Sequence, residues 1–513
     1  MKSCIPAVKR GITALLSFTL FATSVSAFAH GGFDDMDDAP APGRVGVAVA
    51  NYMLKTWPNL DDTTCGVNCF SLDYSKVPAA PSPKYWEYTN GIPLVGIWKL
   101  YQHTGNRAYF DYVKKFVDTY VDANGKISYA VPYPTPSTRD ATIQDVIQPS
   151  NLLFGLYEET KDPRYLTAMA AQREVFKTIK TNTAGAFWHK PSYPNQQWLD
   201  GLYMAEPFLV KYCALYATEA DKAGCFTTAT TQAKLMHQHL FDANTHLYYH
   251  AWNGAADGIW LGLDPKKGKT PPVTGAVATP VLWSRSIAWL YLGVIDMLDY
   301  LPKNHPDRPL MIQIVNNISS GLAKYQDRKT GLWYQVVDRK DGPLPANGGY
   351  PGETVAAQPN FLETSGSALL TYGLAKSVRK GYIHPFYLAV AHQAWRGVKS
   401  KIDISATGDV KIHGTVVGMS IGGTYNSYVN ADFRTDLTTG DLPAPAASCS
   451  AAQLPGGFPV TFTSAPTVCK YLYVRDNVPQ GFGAVLLASS EMENRHFRPR
   501  HDDHDHDNGH DRH

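Results

Sequence analysis

The 513-residue sequence predicts an all-α fold: an (α/α)6 barrel, six helical hairpins closed in a ring, carrying short β-hairpins and a C-terminal segment of strands and loops. Two recurring patterns predict it. A helix–turn–helix signature appears as LYQHTGNRAY (100–109), LYEETKDPRY (156–165) and, more loosely, LYATEADKAG (215–224). A Gly/Asn turn leading into a small aromatic strand recurs as DANGKISYAV (122–131), TNTAGAFWHK (181–190), DANTHLYYHA (242–251) and DRKTGLWYQV (327–336). The first three of these turns are spaced by about 60 residues. A period of that length marks stacked units that share one core. An open solenoid has the same period, but unequal units without obvious polar end caps favour closure.

Taken in order, residues 1–29 read as an export signal. Lys2, Lys9 and Arg10 precede the apolar run Ile12 to Ala22, and Val25-Ser26-Ala27 or Ala27-Phe28-Ala29 offers a small-residue cleavage site. The run is short for a membrane span. Residues 30–42 read as a disordered acidic leader. Apolar periodicity then places helices at 43–57, 84–104, 107–121, 148–160, 163–180, 199–219, 226–241, 283–300, 308–325, 362–380 and 385–400. That makes eleven of the twelve a six-hairpin ring needs. Residues 401–495, rich in Gly, Thr and Val, read as strands and loops packed on the helices, so that one domain spans 43–495. The tail 496–513, with its run HDDHDHDNGHDRH, reads as disordered.

Composition narrows the function. A net charge of +2 gives no basic field for nucleic acid. Aromatic residues make up 12% of the chain, with 30 Tyr and 11 Trp, and sugars bind by stacking their C–H faces on such rings. Beyond Cys4 in the signal, six cysteines fall into the near-neighbour couples Cys65/Cys69, Cys213/Cys225 and Cys449/Cys469. An even count in an exported chain favours disulfides. A metal site at Cys65-Gly-Val-Asn-Cys69 is the competing reading, and no second Cys or His pair lies nearby.

In a ring of hairpins, the loops before the inner helices share one mouth. Asp145 and Asp200 sit at such junctions, where an acid is commonly only a helix cap. Asp200 also keeps aromatic and apolar company in Phe187, Trp188, His189, Tyr193, Trp198, Tyr203 and Met204. Those neighbours predict a raised carboxyl pKa and a proton held near neutrality. Trp283, Arg285 and Trp289 form a cluster in which two rings could flank a guanidinium that grips a carboxylate. An Arg covering Trp on the outer surface is the alternative. His250 ends the third aromatic strand, in YYHAW, where a structural role competes with a catalytic one.

Several ordered motifs resemble glycoside hydrolase family 105, the unsaturated rhamnogalacturonyl and uronyl hydrolases. They are YPNQQWLDGLYMAEPF (193–208), HAW (250–252), WSRSIAW (283–289), KYQDRKTGLWYQVVD (324–338), NFLETSGSALLTYGLAKSVRKGYI (360–383) and GAVLLASSEME (483–493). The resemblance runs from about residue 43 to 493 and implies the same (α/α)6 barrel. It places Asp200 as the catalytic general acid/base and Asp145 as a second pocket acid, whose charge would raise Asp200 further. Tyr88, His189, Trp198, Met204, His250, Trp283, Arg285 and Trp289 become substrate-binding candidates, Arg285 and His250 for a uronate carboxylate or adjacent hydroxyls and Trp283 and Trp289 for stacking. The implied substrate is an oligosaccharide ending in a Δ4,5-unsaturated uronic acid, and no metal or organic cofactor is expected. Two departures touch specificity. The family's W-x-R-x-x-G-W is interrupted here by Ser286, Ile287 and Ala288, and the segment 253–282 is longer than usual. Another (α/α)6 enzyme, a polysaccharide lyase or sugar epimerase, and a non-catalytic glycan-binding protein are the competing functions.

Overall fold

The computed structural model describes residues 44–60, 86–129, 140–255, 277–279, 282–338, 360–416 and 478–493. Among them are twelve α-helices: α1 (Arg44–Thr56), α2 (Tyr88–Thr104), α3 (Arg107–Tyr120), α4 (Asn151–Thr160), α5 (Pro163–Val175), α6 (Leu199–Leu215), α7 (Glu219–Leu240), α8 (Ser284–Leu298), α9 (Arg308–Tyr325), α10 (Thr364–Arg379), α11 (Tyr387–Lys399) and α12 (Pro479–Met492). The even-numbered helices form an inner ring, in which α6 packs on α8, α8 on α10, α10 on α12, and α12 back on α2. The other helices lie outside, each against its hairpin partner. The sixth hairpin joins the two ends of the described chain, α12 with α1.

Burial sorts the two rings. In α8, SRSIAWLYLGVIDML, almost every residue is buried, so the helix needs no polar stripe. In α3 the buried set Tyr109, Tyr112, Val113, Phe116, Val117 and Tyr120 recurs at three- and four-residue spacing, which gives one apolar face. The repeated turn between inner and outer helix has the same physical cause in two of its three copies. Gly105 and Lys161 end their helices in left-handed conformation, at φ 68 and 56°. Asn106 and Asp162 then cap the next helix by accepting from the backbone N–H groups of Ala108 and Arg164.

The Gly/Asn turns are built alike. Asp122 Oδ1 accepts from the N–H groups of Asn124 and Lys126, Asn182 Oδ1 from Ala184 and Ala186, Asp242 Oδ1 from Asn244, and Asp327 Oδ2 from Thr330. The residue that reverses the chain has positive φ in every copy, as Gly125, Gly185, His246 or Gly331. Each turn leads into a short strand or bridge, such as β2 (Phe241–Asp242) with β3 (Leu247–Tyr248) or β6 (Trp333–Tyr334) with β7 (Leu362–Glu363), that delivers the chain to the next inner helix. A three-stranded sheet of β1 (Gln196–Trp198), β4 (Ala251–Asn253) and β5 (Val277–Ala278) sits at the start of α6.

One expectation changes and one is met in part. The region 401–495 contains the twelfth barrel helix, α12, besides the hairpin β8 (Ile402–Ile404) with β9 (Val410–Ile412). Its sequence, PQGFGAVLLASSEM, is rich in Gly and Ser because α12 is buried on all sides and α2 crosses it closely. A Cβ on Gly483 would lie 2.5 Å from Ile92, and one on Gly96 2.5 Å from Leu486. Of the three cysteine couples expected to pair, Cys213 and Cys225 are disulfide-bonded, linking the end of α6 to α7. The other four cysteines, Cys65 and Cys69 in one couple and Cys449 and Cys469 in the other, lie outside the described residues. The export signal, the leader, the tail and most of the long segment 253–282 lie outside them too. No helix among the described residues is long and apolar enough to cross a membrane.

Candidate active site

The inner helices start at one end of the barrel, and the aromatic strands bring their polar side chains there. Asp200 lies in the first turn of α6, whose N-cap position is Trp198. It is 9% exposed, and its carboxylate is not used as a cap. The buried Ser286 hydroxyl, in the first turn of α8, donates to Asp200 Oδ2 at 2.9 Å. His250 Nε2 lies 3.2 Å from the same oxygen. Pairing of Trp198 with Ala251 across β1 and β4, extended by the Leu199 N–H donating to the His250 carbonyl, fixes that approach. Oδ1 has no hydrogen-bond partner among the described residues.

These contacts reverse the expectation for Asp200. Burial pushes its carboxyl up, but the His250 imidazole 3.2 Å away and the Ser286 hydrogen bond together hold it below the usual carboxylate range. The start of α6 adds the positive end of a helix dipole. Aromatic company alone predicted the opposite sign because the sequence does not show that His250 and Ser286 converge on one oxygen.

Asp145 lies in a 3-10 turn, Gln144–Val146, and is equally sequestered. Lys190 Nζ is 3.3 Å from its Oδ2 and His189 Nε2 is 3.6 Å from its Oδ1. The charge expected to press on Asp200 is therefore met by Lys190. Burial pushes the His189 imidazole down to about 4, against the opposing pull of Asp145, so the ring is neutral near pH 7. Its Nδ1 lies 3.3 Å from Gln144 Oε1.

The rings build one wall. His189 stacks on Trp198 with centroids 4.5 Å apart, and Tyr193 stacks on Trp198 at 4.9 Å. His250 meets the edges of Trp198 and Trp283. The expected Trp–Arg–Trp sandwich is only half present. Arg285 lies 5.0 Å over Trp283, while Trp289 stacks on Tyr203 and meets Tyr88 edge-on. Arg285 is 2% exposed, and its guanidinium donates to Ser365 Oγ and the Val416 carbonyl, which ties α8 to α10 and to the segment after β9. Met204 is buried one turn below Asp200, and Gln480 of α12 donates to the Tyr88 hydroxyl.

Lys190, Ser286 and Gln144 were not among the expected site residues. Lys190 was legible only as the residue after His189; in the fold it lies 5.3 Å over the Tyr193 ring and 5.9 Å over Trp198. Ser286 was visible only as an interruption of a motif. Among the described residues no three His, Cys, Asp or Glu side chains are grouped to hold a metal ion.

The family model described as Glycosyl Hydrolase Family 88 matches residues 67–453, well over half of the chain. The chain belongs to this family. It is a glycoside hydrolase. Among its relatives, the unsaturated rhamnogalacturonyl hydrolase YesR of Bacillus subtilis is 24% identical over 265 residues, which span 50% of this chain and 66% of that one, a little under two thirds. A family 105 glycoside hydrolase from C. acetobutylicum superposes with TM-score 0.61 at 25% identity, covering 87% of this chain and 98% of the other. A Salmonella enterica structure described as a possible family 105 member gives TM-score 0.57 at 22% identity, over 87% and 93% of the two chains, and supports the barrel fold alone. The family 105 label agrees with the resemblance carried by the motifs.

Proposed function

We propose that this glycoside hydrolase removes a Δ4,5-unsaturated uronic acid from the non-reducing end of oligosaccharides released by a polysaccharide lyase. The relative from B. subtilis, an unsaturated rhamnogalacturonyl hydrolase by name, supports that substrate class. The observation that carries it is Asp200, with one oxygen anchored by Ser286 and His250 and the other without a partner among the described residues, beside an aromatic wall.

The reaction is hydration of a vinyl ether. Asp200 Oδ1 delivers a proton to C4, and positive charge develops at C5 and the ring oxygen. Water adds to C5 while Asp200, now a carboxylate, accepts the proton that water loses. The resulting hemiketal opens: the C5–ring oxygen bond breaks, C5 becomes a ketone, and the ring oxygen becomes a hydroxyl on C1. That C1 hemiacetal collapses to an aldehyde and expels the remaining sugar as an alcohol. No displacement occurs at the anomeric carbon, so carboxylate spacing does not set the stereochemistry.

In the free enzyme Asp200 is biased towards its charged form. An anionic substrate that displaces water adds negative charge, which shifts the carboxyl back towards the protonated form the first step needs. Lys190, its side chain about a quarter exposed, is the cation placed to meet the uronate carboxylate. Arg285 instead ties α8 to α10 and to the segment after β9. Asp145 orients Lys190 and His189, and Trp198 provides the stacking face. The disulfide Cys213–Cys225 supports action outside the reducing cytosol, in the periplasm or beyond.

The test is the ultraviolet absorbance of the unsaturated ring, which hydration destroys. The wild type is expected to bleach a panel of unsaturated disaccharides, and Asp200→Asn to lower the rate by about 10²–10⁴-fold. An absorbance rise on intact polysaccharide would instead identify a lyase.

A further inference from the structure

Four inner helices open on the same two residues, a polar side chain followed by glycine. They are Asn90-Gly91 in α2, Asp200-Gly201 in α6, Ser365-Gly366 in α10 and Gln480-Gly481 in α12. In each, a polar atom from a neighbouring segment or turn crowds the place a side chain would take. A Cβ on Gly91 would lie 1.9 Å from Gln148 Oε1, and one on Gly201 1.9 Å from Gln144 Oε1. On Gly366 the nearest atoms are Glu363 Oε2 and Ser284 Oγ at 2.8 Å, and on Gly481 Thr415 Oγ1 at 2.9 Å. Of the two remaining inner helices, α4 opens on Asn151-Leu152, and α8 has Arg285-Ser286 at the equivalent place. The relation is inverted: α8 supplies its own polar atom, and that atom reaches across to α6 and the Asp200 carboxylate.

We propose that Ser286 is a positioning residue for Asp200, whose hydroxyl occupies Oδ2 and so selects Oδ1 as the oxygen that delivers and recovers the proton. The proposal rests on Asp200 being the acid. Ser286 is completely buried, so it acts through Asp200 without touching substrate. A hydroxyl donated to a carboxylate stabilises the charged form, so Ser286 also helps set the pH at which the acid loses its proton. The other groups around Asp200 are His250 at 3.2 Å and the neutral His189, with Lys190 and Asp145 paired beyond it. Arg285, next to Ser286, turns to Ser365 and Val416. Replacing Ser286 leaves all of these in place.

The sign follows from the acid's role. Turnover needs protonated Asp200, so kcat/KM falls as pH rises past the carboxyl's pKa. Removing a hydrogen bond to a charged group raises that pKa, by up to about one pH unit. The experiment is the pH profile of kcat/KM on an unsaturated uronyl disaccharide for wild type, Ser286→Ala, Ser286→Gly and Ser286→Thr. The Ala and Gly variants are expected to move the alkaline limb to higher pH, with KM unchanged within about twofold. Ser286→Thr, which restores the hydroxyl, returns the limb to its wild-type position. The glycine variant recreates the backbone of the other four helices, so it reads the limb if the alanine variant fails to fold. Ala and Gly profiles that superimpose on the wild type overturn the proposal. Asp200→Asn separates the two readings: full activity in that variant removes the acid itself, whatever Ser286 does.

Discussion

His189 shows how one buried ring couples the site to stability. Its imidazole lies between Asp145 and Trp198 and is held at about 4 against an ordinary 6.5. Below pH 6.5 the unfolded chain takes up a proton that the folded ring refuses until about pH 4. Stability is therefore lost as pH falls through that window. His189→Asn cannot titrate, and its melting temperature is expected to fall less steeply than the wild type's between pH 6.5 and 4. Parallel curves in thermal melts would contradict the assignment. At this scale the sequence exposed residue types but not convergence. Asp200, Asp145, His189, Trp198 and His250 stand out by their company. The sign of Asp200's shift does not, because it depends on two groups 50 and 86 residues away meeting on one oxygen atom.

Helix α6 carries a second buried acid with a different fate. Glu206 is 1% exposed, and its Oε2 has no hydrogen-bond partner among the described residues. Burial raises its carboxyl well above the usual 4.5, so the folded chain keeps the proton. The unfolded chain releases that proton above pH 4.5, so stability declines as pH rises from there towards the folded value. Glu206→Gln is expected to flatten that decline, melting higher than the wild type at pH 8 and close to it at pH 4. A variant that melts lower at both pH values would show that the carboxyl makes a contact glutamine cannot replace. Elements were legible where amphipathic or punctuated. Outer helices such as α3 show an apolar stripe, and Gly105-Asn106 and Lys161-Asp162 mark a stop followed by a cap. The inner helix α12 was not, because a helix buried all round loses the polar half of its pattern, and its glycines imitate a loop.

Closure of the ring depends on contacts between the two ends of the described chain. Glu493, just after α12, accepts from the backbone N–H groups of Val45 and Gly46 at 3.2 and 3.3 Å, and from Ser489 Oγ at 2.6 Å. It thus satisfies the start of α1 from a position 448 residues away. Glu493→Ala is expected to cost roughly 1 kcal/mol, the size of a lost helix cap, read as a lower denaturation midpoint with unchanged slope. An unchanged midpoint would mean that the ring closes without this tie. The repeat by itself predicts a six-hairpin ring. It could not identify the sixth hairpin, whose two helices are at opposite ends of the described chain.

The central claim, that Asp200 protonates C4 and initiates hydration, is tested most directly by running the reaction in D₂O and following the released sugar by NMR under single-turnover conditions. Hydration predicts one deuterium at C4 of a ring-opened keto acid, with no C4–C5 double bond remaining, and no product from Asp200→Asn on the same timescale. A released uronic acid that keeps its double bond and carries no deuterium would mean cleavage at the anomeric carbon, and would contradict the account.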